Sequence, residues 1–114
     1  MTNCQDRLSE LTYTAERVLE EDLAALKRMP EQSRIERYND IKANEEDFSW
    51  SFREECPEFL TEREAERVRG NLRLARLLLA ASFDAEGDLP RAMEDDFIEA
   101  ELQAVVELDR YKQY

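Results

Sequence analysis

A chain of 114 residues with two glycines and three prolines can bury one hydrophobic core and has few places to turn, which argues for a few long helices and against a sheet. Its formal charge of −12, from 28 acidic and 16 basic residues, opposes direct contact with nucleic acid or an anionic membrane surface. The absence of histidine removes the commonest general base and metal ligand.

Thr2 and Gln5 have the spacing of a capping box for a first helix over residues 3–29, which Pro30 ends. Cys4, Leu8, Leu11, Ala15, Val18, Ala25 and Met29 follow the four-three spacing of one helix face, widened by Leu19, Leu23 and Leu26. Asp22 interrupts that face, and a buried lone carboxylate is costly, so it needs solvent or an arginine. Ser33 and Glu36 open a second helix over residues 34–55, with Ile35, Tyr38, Ile41, Phe48, Phe52 and Cys56 on one side. Residues 43–51 favour caps and turns and mark a bend or split. Trp50 is exposed if the helix is continuous and turns inward if it breaks near Asn44.

Thr61 and Glu64 form a third capping box and start a helix over residues 62–83. Leu72, Leu74, Ala75, Leu77, Leu78, Leu79, Ala80, Ala81 and Phe83 make it apolar on nearly every side, so it must be covered on more than one. Residues 84–89 read as a loop with Gly87 available for a left-handed turn. Pro90 suits the first turn of a last helix over residues 90–111, with Met93, Phe97, Ala100, Ala104, Leu108 and Tyr111 on one face and Ile98, Leu102, Val105 and Val106 on another. The expected architecture is a single all-α domain over residues 1–114, an antiparallel four-helix bundle, or five helices if the second is split.

The longest apolar run, residues 77–81, is far shorter than the roughly 20 residues of a membrane span, and residues 1–10 lack a signal-peptide core, so a soluble cytoplasmic protein is expected. Cys4 and Cys56 have no CxxC spacing and read as reduced, partly buried thiols. Glu55 and Glu58 have ExxE spacing but straddle Pro57, while Asp96 and Glu99 form an isolated pair. Neither reproduces the paired carboxylate motifs of helical nucleotide pyrophosphatases, and no serine lies in a nucleophile elbow. The expectation is a non-enzyme with no cofactor and no metal.

The charge is unevenly spread: residues 1–30 carry −2, residues 31–60 carry −5, residues 61–83 carry +2 and residues 84–114 carry −7. In the positive segment Arg69, Arg73 and Arg76 lie near one stripe, where pairing with carboxylates such as Asp22 or Glu45 is favoured over an anion site. In the acidic segments Glu45, Glu46, Asp47, Glu94, Asp95, Asp96 and Glu99, together with Trp50, make the expected partner-binding surface. Carboxylates on a rigid scaffold imitate nucleic-acid phosphates and fit the basic groove of a nucleic-acid-binding protein. By analogy of size and charge, the expected function is that of a small acidic inhibitor, as immunity proteins and phage-encoded anti-defence inhibitors are. The alternative is a homodimeric structural or adaptor subunit that pairs through Leu74, Leu77, Ile98, Leu102 and Val105.

Overall fold

In the computed structural model, which describes residues 3–103, the first helix starts at Asn3. The Asn3 side-chain oxygen accepts from the amides of Gln5 at 3.0 Å and Asp6 at 3.2 Å, so the cap is Asn3 where the spacing suggested Thr2. Helix α1 (Cys4–Leu19) buries Leu11, Ala15 and Val18. It does not run on to residue 29. The chain breaks after Leu19, and Asp22 caps a separate short helix, α2 (Leu23–Arg28), by accepting from the Ala25 amide at 2.7 Å. The carboxylate that interrupts the apolar stripe is therefore exposed and ends the stripe: an Asp competes with the helix by bonding a nearby backbone N–H.

Helix α3 (Glu31–Asp47) starts directly after Pro30 without a side-chain cap, so Ser33 lies inside it. It ends at Asp47, inside the segment of turn-favouring residues 43–51, where the expected irregularity takes the form of a change of helix type and not of a break near Asn44. The Phe48 amide donates to the carbonyls of Asn44 and Glu45, and the chain widens into a π-turn (Phe48–Phe52) that leads into the short helix α4 (Arg53–Glu55). Phe48 and Phe52 are fully buried and stacked at 5.2 Å, and Phe59 meets Phe52 edge-on at 6.3 Å. Trp50 points out of the same turn, 70% exposed.

Cys56, just beyond α4, is joined to Cys4 by a disulfide with a Cα–Cα distance of 6.1 Å, which overturns the expectation of two reduced thiols. The two cysteines are 52 residues apart, and they meet because α1 packs against α3 and the π-turn. No local spacing signals such a pair.

Helix α5 (Glu62–Ala81) has the expected capping box in full: the Glu64 amide donates to the Thr61 hydroxyl at 3.1 Å, and the Thr61 amide to the Glu64 carboxylate at 3.0 Å. Its apolar run is covered by α1, α3 and α6, which leaves Leu72, Ala75, Leu77, Leu78, Leu79, Ala80 and Ala81 buried. The helix ends at Ala81, yet Ser82 and Phe83 remain buried. The following turn is organised by aspartates and not by Gly87: the Asp84 carboxylate accepts from the Glu86 amide at 3.0 Å, and Asp88 accepts from the Asp84 amide at 2.8 Å. After Pro90, a 3₁₀ turn (Arg91–Met93) precedes α6 (Glu94–Leu102). The expected continuation of this helix to residue 111 lies outside the described residues. Among those described there is no strand, so the fold is all-α, and no helix is long and apolar enough to cross a membrane.

Candidate functional site

The acidic residues singled out from the sequence fall into two groups once their partners are known. Asp96 is buried and belongs to a polar centre between α3, α5 and α6. It accepts a very short hydrogen bond from the Tyr38 hydroxyl and a 2.5 Å ion-paired bond from Arg76 Nη1. Arg76 Nε reaches Glu45 of α3 at 2.8 Å. Asp96 is thus removed from the expected partner surface, because a buried carboxylate paired with a half-buried guanidinium is held in the fold and cannot meet a partner. Glu45 is also committed inward, and Glu99 pairs with Arg73. The expected pairing of Arg76 with Glu45 is present, whereas Asp22 is used as a cap.

Burial, followed by the bond to Asp96, pushes the Tyr38 hydroxyl pKa upward from its ordinary value of 10.0. Arg76 is held above its ordinary range: burial opposes its charge, but Glu45 and then Asp96 outweigh that effect. For Tyr38 the folded state keeps its proton when the unfolded chain releases it. Its contribution is therefore complete below the ordinary tyrosine range and is lost as pH rises above it. Urea midpoints measured across alkaline pH should fall less steeply in Tyr38→Phe than in the wild type. Equal slopes would remove Tyr38 from the alkaline transition.

The second group surrounds the π-turn. Arg7 of α1 forks onto Asp47, with Nη2 at 2.8 Å from Oδ1 and Nη1 at 3.1 Å from Oδ2, and its Nε donates to Glu55 at 3.0 Å. Donation to Asp47, then to Glu55, raises the Arg7 pKa. One guanidinium therefore holds the residues on both sides of the turn, and the Cys4–Cys56 bridge closes the same corner one helical turn away. Trp50 stands on this clasped turn with Glu46 four residues before it and Glu54 four residues after, a spacing that makes helical neighbours. Both carboxylates are exposed, as is Glu58 beyond them. Glu94 and Asp95 are exposed on the first turn of α6, an element packed mainly on α5.

Of the residues expected to pair two copies of the chain, Leu77 is buried in the core at 2% exposure and is unavailable, and Leu74 is half-buried. Ile98 and Leu102 are exposed, and Val105 lies outside the described residues. Arg7 was not anticipated. Its only sequence signal is a position one turn after Cys4 on a helix whose neighbours could not be known. Among the described residues no group of three or more Cys, Asp or Glu side chains is placed to hold a metal ion. No protein family, no curated protein and no solved structure matches the chain.

Proposed function

We propose that this protein is a non-enzymatic acidic binding module that occupies a basic, nucleic-acid-binding surface of another protein, with Trp50 as its anchor. The observation that carries this reading is a large aromatic side chain 70% exposed on a turn that is clasped by Arg7 and the disulfide. A Trp on a turn whose backbone is already ordered costs little backbone freedom on binding, and such side chains dominate interface energetics. Glu46 and Glu54 flank it, and the net charge of −12 steers a basic partner toward it. The supporting scaffold is read as an antiparallel bundle of α1, α3, α5 and α6.

The test is capture of partners from a lysate of the source cells at low and high salt, by the wild type, Trp50→Ala and the Glu46→Gln/Glu54→Gln pair. A partner lost at high salt, and bound about 30-fold more weakly by Trp50→Ala, is the expected result. Stability of Trp50→Ala should stay within about 0.5 kcal/mol of wild type, since the side chain packs against little. A partner retained equally at both salt concentrations would refute the charge-based reading.

The exposed Ile98 and Leu102, one turn apart on α6, favour a second reading as a homodimeric structural or adaptor subunit. A dimeric mass in solution that becomes monomeric in Leu102→Glu would support it. As for location, the disulfide fits an oxidising compartment better than the cytoplasm, where thiols are kept reduced. Alkylation of denatured protein taken directly from its cells distinguishes the two.

A further inference from the structure

Trp50 is the single tryptophan of the chain, and an indole face attracts a cation more strongly than any other aromatic side chain. Two buried rings of the protein already carry a cation. The Arg34 guanidinium lies 4.2 Å from the centre of Phe83, and the Lys42 ammonium lies 5.5 Å from that of Tyr38. No cation of the described residues lies over Trp50, whose side chain is 70% exposed.

The carboxylates on the two sides of the π-turn divide into an inner and an outer pair. The inner pair, Asp47 and Glu55, is eight residues apart across the turn, and the one guanidinium of Arg7 spans it, with Nη2 2.8 Å from Asp47 and Nε 3.0 Å from Glu55. The outer pair, Glu46 and Glu54, has the same eight-residue offset in the same two helices, each one position earlier. One residue is a rotation of about 100° about a helix axis, which carries this pair out of the Arg7 clasp while keeping its offset across the turn. Both carboxylates are exposed and, among the described residues, take part in no ion pair or side-chain hydrogen bond. Trp50 is midway between them along the chain, four residues from each.

We propose that Trp50, Glu46 and Glu54 form a subsite for an arginine side chain of the partner, whose guanidinium stacks on the indole and donates N–H bonds to both carboxylates. This rests on the reading of the protein as an acidic module for a basic surface, and it names the side chain that the module takes. Arginine fits better than lysine. A guanidinium is planar, weakly hydrated and forked, so it can lie on a ring and still reach acceptors at its edge, whereas an ammonium is a compact, strongly hydrated point charge. An apolar pocket on the partner matches the same indole poorly, because Glu46, Glu54 and the exposed Glu58 would lose water without gaining a donor.

The full chain, with its disulfide intact, is titrated into fluorescein-labelled hexa-arginine and hexa-lysine at low salt, and binding is read by anisotropy. Hexa-arginine should bind about fivefold more tightly than hexa-lysine, and Trp50→Leu should abolish that preference. Glu46→Gln/Glu54→Gln should weaken hexa-arginine about tenfold. Glu94→Gln/Asp95→Gln makes the same change of charge at exposed positions on α6 and should weaken it no more than about threefold. No binding, equal affinities for the two peptides, a preference that survives in Trp50→Leu, or equal losses from the two carboxylate pairs would each overturn the subsite. Its failure is separable from that of the acidic-module reading, which the salt dependence of the captured partner decides. A partner released by salt from a protein that shows no preference for arginine keeps the module and removes the subsite.

Discussion

Arg76→Met is expected to destabilise the protein by about 3 kcal/mol and to lower its Tm by about 15 °C. The methionine fills much of the same space, so lost packing is small. The cost arises because Asp96, 9% exposed, and Glu45, 27% exposed, lose the cation that compensates them, and two carboxylates are left near each other between three helices. The fair comparison is Arg73→Met one turn earlier on α5. Its ion pair with Glu99 involves an arginine side chain that is 51% exposed, where solvent screens the attraction, and its loss should cost no more than about 1 kcal/mol. Urea denaturation followed by the loss of helical circular dichroism measures both. Equal losses in the two variants would show that the Arg76 centre is not a buried network in energetic terms.

Replacing both cysteines by serine is expected to cost about 4 kcal/mol, close to that of Arg76→Met or larger. In the chain-entropy account, the bridge removes the freedom of a 52-residue separation from the unfolded chain, and that term sets the magnitude. Against a total stability of order 5–15 kcal/mol for a domain of this kind, such a loss is a large share. The same shift in urea midpoint should follow reduction of the wild type and be absent when reductant is added to the serine variant. Two free thiols in the native, unreduced protein would exclude the bridge. Since Cys56 closes the corner on which Trp50 stands, the serine variant should also bind a Trp50-dependent partner more weakly.

The two effects share a cause that illuminates what could be read in advance. The Thr61 and Glu64 box, the buried run of α5 and the amphipathic stripe of α1 all depend on contacts within a few residues, and each is written in the spacing of side chains. Asp22 was visible as an anomaly in its stripe, but its role as a cap depends on the chain breaking there, and a stripe with one polar position is equally compatible with a continuous helix. The turn-favouring residues 43–51 signalled an irregularity. They did not signal a π-turn, because that choice is made by the burial of Phe48 and Phe52 against neighbours that are distant in sequence.

The acidic surface shows the same division more sharply. Composition places carboxylates on the second and last helices, and in a string of letters Asp95 and Asp96 are alike. In the fold Asp95 is exposed and Asp96 is buried against Tyr38 and Arg76, 58 and 20 residues away. Arg34 is hidden for a related reason: it sits on the apolar spacing that leads to Tyr38, yet only the end of α5 gives it Ser82 and Phe83 as neighbours.

By itself the sequence determined an all-α protein, the start of its central helix, the run of residues that must be covered and a strong negative charge. All of these follow from local periodicity, capping chemistry and a count of ionisable groups. Tertiary structure decided which carboxylates are neutralised, that Cys4 meets Cys56, that Trp50 faces solvent on a clasped turn, and that Arg34 is buried against Ser82 and Phe83. These depend on which helix faces pack together, and that is a property of distances across the fold which no spacing along the chain records.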